Sequence, residues 1–308
     1  MNRGLKGLEE KVFDQGLCAA CGACLSLCPY LRSWKGRVVK LDQCNLEEGR
    51  CFFYCPRSEL DLDEVYQKVF GKSYEDIELG PFRRITMARA KNPLFIKKAQ
   101  TGGVVSALID FALQEGIIQA AVLTPRDGDL LPQGRIISKR GEILNCAGSS
   151  YISGPTLEAF NKGPWKGDER IGIVGLPCQV IALGRMRSST LEKKTPIDRI
   201  HLVIGLFCTW ALDYQPLKVF LQERTGGRSI KRLNITAPPE RILEVTVGRE
   251  LIKIPVDDIR PFIRPSCKVC LDMTAELSDI SIGTVEGREG WNTVIARTVM
   301  GENLLKQA

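Results

Sequence analysis

Twelve cysteines in a 308-residue chain constrain what it can fold into more than any other feature, because they fall into two groups and an outlier. Cys18, Cys21, Cys24, Cys28, Cys44, Cys51 and Cys55 crowd the N-terminal fifth. Cys178, Cys208, Cys267 and Cys270 lie far downstream, and Cys146 stands alone. The opening MNRGLKGLEEKVFDQG has no apolar core of the kind a secretory signal needs. No apolar run approaches the roughly 18 residues of a membrane span. Cysteine richness without export points to metal-binding or catalytic thiols in a reducing compartment, so a cytoplasmic location is expected. The length suggests about two domains.

The run Cys18-x2-Cys21-x2-Cys24-x3-Cys28-Pro29 has the spacing of a bacterial [4Fe–4S] ferredoxin site. In that pattern three close thiolates hold one cubane, and the cysteine before proline serves the other. Cys18, Cys21 and Cys24 would then share a cluster with Cys55, which precedes Pro56. The reciprocal set is Cys28, Cys44 and Cys51, one short of four. The missing ligand falls where Asn45 to Glu48 stand. This half holds either a three-cysteine cluster, with another ligand or an open iron at the fourth corner, or no cluster. A zinc ribbon would use fewer cysteines than this run and its two Cys-Pro pairs supply.

The formal charge is +7, but the basic residues are interspersed with acids and form no stripe interleaved with aromatics. A cubane core of about +2 held by four thiolates carries roughly −2, so three clusters would cancel most of the excess. A nucleic-acid partner is not expected.

Beyond the N-terminal module (residues 1–58), residues 59–83 read as an acidic, helix-forming connector punctuated by Gly80-Pro81. From residue 84 to 308 strand-like and helix-like segments alternate. Strands are expected at 85–90, 118–124, 170–175 and 202–207, and helices at 103–114, 156–160, 180–187 and 217–224. Short strands at 232–235, 242–247 and 251–256 have an antiparallel character, and 279–285 and 293–297 are expected to close the sheet. The fold class is α/β with α+β elements: a bacterial-ferredoxin-like domain followed by a mixed α/β domain. Cys178 and Cys208 follow strands, and Cys267 and Cys270 form a CxxC. Strand ends of a parallel sheet converge on one crevice, where these four could meet around a cluster or a zinc ion. The alternative is that Cys178 and Cys208 are small buried hydrophobes. No GxGxxG occurs, which argues against a nicotinamide site of Rossmann type. His201, the single histidine, and the tryptophans Trp34, Trp165 and Trp210 read as structural.

The segments QTGGVVSALIDFAL, GIVGLPCQVIAL, IGLFC and RPSCKVC…SDISIGTVEGREGWNTVIART resemble, in order, the blocks of one family. It is the beta subunit of coenzyme F420-reducing hydrogenases and dehydrogenases, which includes formate dehydrogenase beta subunits and a plant hydroxymethyl chlorophyll reductase. The resemblance covers residues 84–308 and implies an FAD-binding domain, with a [4Fe–4S] cluster on Cys178, Cys208, Cys267 and Cys270. It also implies an F420 site against the flavin. For flavin it points to Gln100, Thr101, Gly102, Gly103 and Ser106, where a Gly-Gly before a helix lets N–H groups approach a pyrophosphate. Gly148, Ser149, Tyr151 and Ser153, with Glu286, Gly290 and Trp291, are further candidates near the ring. Ser150 stands where relatives often carry a basic residue, which leaves contact with phosphate or substrate there in doubt.

The resemblance therefore implies an F420-dependent oxidoreductase with FAD and two or three [4Fe–4S] clusters. Hydride would pass between F420 and FAD, and single electrons would pass to or from a partner. That partner would be a hydrogenase, formate dehydrogenase or heterodisulfide reductase subunit, or a ferredoxin. Two alternatives stand beside it: a ferredoxin-driven flavin reductase of another organic substrate, and a relay subunit without its own substrate.

Overall fold

A computed structural model of the chain describes residues 2–75, 77–125, 130–236 and 239–308. The strands are β1 (Leu31–Trp34), β2 (Arg37–Lys40), β3 (Arg84–Ala88), β4 (Ala120–Leu123), β5 (Arg135–Ile137), β6 (Ile171–Gly175), β7 (Ile200–Leu206), β8 (Ile230–Ile235), β9 (Ile242–Val247), β10 (Glu250–Pro255), β11 (Ile280–Thr284) and β12 (Asn292–Ala296). The helices are α1 (Leu5–Leu8), α2 (Arg50–Phe53), α3 (Leu62–Phe70), α4 (Pro93–Lys98), α5 (Val104–Gln114), α6 (Thr156–Lys162), α7 (Pro177–Ser188), α8 (Tyr214–Thr225), α9 (Val256–Ile259) and α10 (Val299–Gln307).

A seven-stranded mixed sheet, ordered β3-β12-β11-β7-β6-β4-β5, organises residues 84–308. Its middle is parallel: β4 with β6, β6 with β7, and β7 with β11. Parallel strands covered on both faces need apolar side chains on both, and IGIVG and HLVIGL supply them. Side chains alternate faces along a strand, so β4 sends Val122 to one core and Ala121 and Leu123 to the other. On the first face α6, α7 and α3 contribute Leu157, Phe160, Val180, Leu183 and Val65. On the second, α5 and α10 contribute Leu108, Ile109 and Leu304. Phe160 is fully buried, and truncating it to alanine should cost about 3–5 kcal/mol.

The last two strands do not close the sheet as the sequence suggested. β11 and β12 lie inside it, and the first strand, β3, forms the edge because it pairs antiparallel with β12. The short strands β8, β9 and β10 form a separate antiparallel sheet that packs against α8 through Leu243, Val245, Leu217 and Leu221.

The connector is a helix capped at both ends. Asp61 accepts from the Glu64 N–H at 3.0 Å, and Gly71 ends α3 at φ +69°. α3 crosses α7 at Gly184, where a Cβ would come within 2.6 Å of Val65 Cγ1.

The N-terminal module packs on the same face as α6 and α7. The Asn161 amide donates to the carbonyls of Gly22, Ala23 and Leu25, and the Leu157 N–H donates to the Cys21 carbonyl at 3.1 Å. Arg185, on α7, donates to the carbonyls of Phe52, Phe53 and Glu59 and to the Ser58 hydroxyl. Among the described residues no helix is long and apolar enough to cross a membrane. Trp34 and His201 are exposed rather than part of the core, Trp34 at the tip of the β1–β2 hairpin.

Candidate functional site

A cavity of about 350 Å³ opens where the parallel strands end. Its wall includes Leu123-Thr124 at the end of β4, Gly175-Leu176 at the end of β6, Phe207-Cys208 after β7 and Gly283-Thr284 at the end of β11. This is the crevice an open α/β sheet offers to ligands, and its size is ordinary for a small-molecule site.

One wall is the N-terminal end of α5. Gly103 takes φ +73° and has no side chain to cap the helix; the Val104 N–H donates to Asn292 Oδ1 at 3.4 Å, which leaves the next N–H groups of the first turn and its positive end to an anion. Gly102 is held by packing: a Cβ there would lie 2.6 Å from Asn292 Oδ1. Asn292, at the start of β12, donates to the Thr101 hydroxyl at 2.7 Å and to the Gly283 carbonyl at 3.0 Å, clamping this turn onto the sheet. On the opposite side, the Tyr151 hydroxyl accepts from Gln100 Nε2 and from the Ile235 N–H, both at 2.8 Å. Buried Gln179 donates to the Gly154 carbonyl and the Thr156 hydroxyl, fixing the floor.

Gln100, Thr101, Gly103, Ser106, Gly148, Ser149 and Tyr151 all line this cavity. Gly102 sits behind it against Asn292. The other candidates lie elsewhere. Ser153 is buried and donates to the Ala19 carbonyl at 2.6 Å, so it docks the N-terminal module. Glu286, Gly290 and Trp291 occupy the β11–β12 turn outside the cavity wall, with the Arg288 guanidinium 4.2 Å over the Trp291 ring. The sequence reading passed over Asn292, Gln179, Phe207 and Trp210. Phe207 and Trp210 could have been found from their place just after a strand end.

The cysteines gather in three sets. Cys18, Cys21, Cys24 and Cys55 surround a second, small cavity walled by Leu8, Phe13 and Val38. Burial first, then neighbouring thiols, pushes Cys21 and Cys24 well above the usual thiol range; burial lifts Cys55 to about 11. Cys51 is pushed up to about 12, by burial and then by Cys28 and Cys44, which pack with it in the core of the N-terminal module. The third set joins residues 178 to 270. Burial raises Cys178 to about 12, Arg57 opposes the shift, and Cys270 and Cys267 add to it. Cys208 is raised by burial and then by Cys178, Cys267 and Cys270. Cys178 lies in the first turn of α7, and Cys208 also lines the large cavity. The Ala211 N–H donates to Cys267 Sγ at 3.3 Å, and the Arg57 N–H to Cys55 Sγ at 3.4 Å. Donors of this kind favour thiolate. Cys146 lines the large cavity apart from these sets.

Among the described residues no three His, Cys, Asp or Glu side chains are placed to hold a single metal ion. Zinc would need four ligands about 2.0–2.3 Å from one point. An all-sulfur donor set, with main-chain N–H groups on Cys55 and Cys267 Sγ, is the donor chemistry an iron–sulfur cluster uses.

A mixed α/β sheet with a cavity at its strand ends, and the thiol of Cys208 in the cavity wall, defines an α/β protein with a small-molecule site beside cysteines. Residues 85–161 match the N-terminal region of the coenzyme F420 hydrogenase/dehydrogenase beta subunit, and residues 168–308 match its C-terminal region. The chain belongs to this family. The coenzyme F420 hydrogenase beta subunit of Methanothermobacter thermautotrophicus is 30% identical over 241 residues, 75% of this chain and 82% of that one. The coenzyme F420-dependent sulfite reductase of Methanocaldococcus jannaschii is 30% identical over 96% of this chain, which spans 46% of that protein. Among solved structures, the F420-reducing [NiFe] hydrogenase complex from Methanosarcina barkeri contains a similar chain. It has a TM-score of 0.69 and 27% identity, and the match covers 76% of this chain and 81% of that one.

Proposed function

We propose that this chain is an F420-linked iron–sulfur flavoprotein that exchanges electrons with a separate redox partner. FAD would occupy the large cavity, with [4Fe–4S] clusters on Cys18/Cys21/Cys24/Cys55 and on Cys178/Cys208/Cys267/Cys270. Cys28, Cys44 and Cys51 would hold a further cluster. When bound, flavin converts two-electron into one-electron chemistry, and iron–sulfur centres carry electrons singly.

The observation that carries this reading is the double membership of Cys208, which lines the cavity and faces Cys178, Cys267 and Cys270. A cofactor in the cavity would therefore lie against the distal thiols. The α5 N–H groups and Gly103 receive a pyrophosphate. Asn292 fixes the turn before α5 on the sheet, and Tyr151 ties Gln100 to the Ile235 main chain. Leu206, Phe207 and Trp210 provide apolar wall that excludes water. On the far side, the electrostatic influence of Cys178 on Cys21 supports the N-terminal set as next in line.

A cysteine-rich chain whose thiols would hold iron–sulfur clusters suits a reducing compartment such as the cytoplasm. A relative named as a sulfite reductase that matches 96% of this chain, module included, supports a reductase as the electron acceptor.

The test is an anaerobic optical titration of the purified protein with reduced F420. Joint bleaching of flavin and cluster absorbance is expected. If dithionite bleaches both and reduced F420 neither, F420 is not the hydride donor. Total iron should fall by about four per chain in Cys267→Ser with Cys270→Ser; unchanged iron would remove the distal cluster from the reading.

A further inference from the structure

β3, at the edge of the sheet, turns its bulkier side chains to solvent. Thr86 and Ala88 are half-buried, with Ala88 packed on the α5 core, while Ile85 and Met87 stand on the opposite face at 43% and 47% exposure. Ile85 lies opposite Ile295 in the β12 register and shares its face. Arg297, two residues beyond Ile295, holds the connector on that side through the Leu79 and Pro81 carbonyls. The connector in turn exposes Ile77, Leu79 and Phe82. Single exposed apolar residues are ordinary, whereas a run of them along one edge marks a surface that something covers.

The main chain is open there too. β3 pairs with β12 on one side, and among the described residues no strand pairs with the other. An uncovered edge is a template for a further strand, and charge decides which strand it admits. From Pro81 to Lys91 the sequence carries Arg83, Arg84, Arg89 and Lys91 and no acid, the last acid of the connector being Glu78. Arg83 is taken by Glu302; Arg84, Arg89 and Lys91 are exposed and make no ion pair among the described residues. A second copy of this chain, paired antiparallel about a two-fold axis, would set these cations against their own counterparts, which is unfavourable.

We propose that β3 is a docking edge for an acidic, extended segment of a partner protein, which joins the seven-stranded sheet as a further strand. The main chain of that segment pairs with β3, its apolar side chains cover Ile85 and Met87, and its carboxylates meet Arg84, Arg89 and Lys91. The Ala90 N–H donates to the Gly102 carbonyl at 2.8 Å, so the edge runs into the turn that opens the large cavity. A partner seated on β3 would therefore stand next to the candidate cofactor site. The surface uses no thiol and stands whether or not the cysteines hold clusters.

The experiment is hydrogen–deuterium exchange of the full chain, read over residues 83–91, with a short synthetic peptide that alternates valine with glutamate. At about 1 mM this peptide should slow exchange in β3 about twofold, the half-occupancy of a millimolar site. A counterpart with lysine in place of glutamate should leave β3 unprotected. Arg84→Glu with Arg89→Glu should reverse that preference, and Met87→Asp should abolish protection by the acidic peptide. Equal protection by both peptides, protection confined to another segment, or none at all would overturn the proposal. So would a dimer of the chain alone, seen in sedimentation, that protects β3 as the acidic peptide does, because the edge would then belong to a second copy. If the charge-reversed variant fails to fold, Arg84→Gln with Arg89→Gln decides. Loss of protection by the acidic peptide supports the edge as its site, and unchanged protection refutes it.

Discussion

Arg264 Nη2 donates a 2.9 Å hydrogen bond to the carbonyl of Cys18, a residue 246 positions away in the chain. Arg264 is almost fully buried, stands three residues before Cys267, and gives its other terminal nitrogen to the Gly36 carbonyl at 3.1 Å. The loop that carries half of the distal thiols is thus the loop that grips the N-terminal module. Replacing Arg264 by methionine keeps much of the volume but leaves two carbonyls without their charged donor. A loss of about 3 kcal/mol is expected, read as a lower urea midpoint. Protease sensitivity within residues 1–58 should rise with it. An unchanged midpoint would mean that the junction is held elsewhere.

Gly22 sits between Cys21 and Cys24 at φ +89°, where a Cβ would lie 2.7 Å from the Glu158 N and 2.8 Å from the Pro155 carbonyl oxygen. Both obstacles are main chain at the start of α6 and cannot swing aside. Gly22→Ala should therefore cost more than about 2 kcal/mol and displace the loop that presents three of the four thiols. Iron per chain should drop in the purified variant. Full iron and an unshifted visible spectrum would show that the loop can relax.

The cysteine spacing was readable because each ferredoxin-type set is largely local in sequence, and the cavity because parallel strands with apolar runs end on a common edge. Its wall was less readable. Ser153 carries a hydroxyl suited to a ligand, but a buried hydroxyl takes the nearest acceptor, here the Ala19 carbonyl. Trp291 shares a sequence block with Asn292, yet it lies half-buried in the turn before β12, while Asn292 opens the strand and is buried. Tertiary pairing, not local pattern, decides these cases.

That contrast between neighbours gives a prediction for flavin. Asn292 clamps Thr101 and Gly283 together, so Asn292→Ala should loosen the turn before α5 and weaken flavin binding about tenfold, or ~1.4 kcal/mol. Trp291→Ala, outside the cavity wall, should change it less than about twofold on the same scale. Flavin fluorescence in ultrafiltrates of the two variants compares them directly. Equal weakening would place Trp291 against the cofactor after all.

The C-terminal helix is tied to the edge of the sheet by charge. Glu302 on α10 pairs with Arg83, just before β3, at 2.8 Å and with Lys306 at 2.9 Å. Hydrogen bonds from Arg83, then from Lys306, hold its carboxyl down to about 2, against an ordinary value of 4.5. Above 4.5 the group is ionised in folded and unfolded chains alike, and its stabilisation is present in full. Between 4.5 and about 2 the unfolded chain takes up a proton that the folded one refuses, so stability falls as the pH falls. The pair is solvent-exposed, which keeps its effect small and sensitive to salt. Glu302→Gln should lower the urea midpoint slightly at pH 6, and the difference from wild type should narrow by pH 3.5. A gap of the same size at both pH values would assign the loss to packing of α10 rather than to the carboxylate.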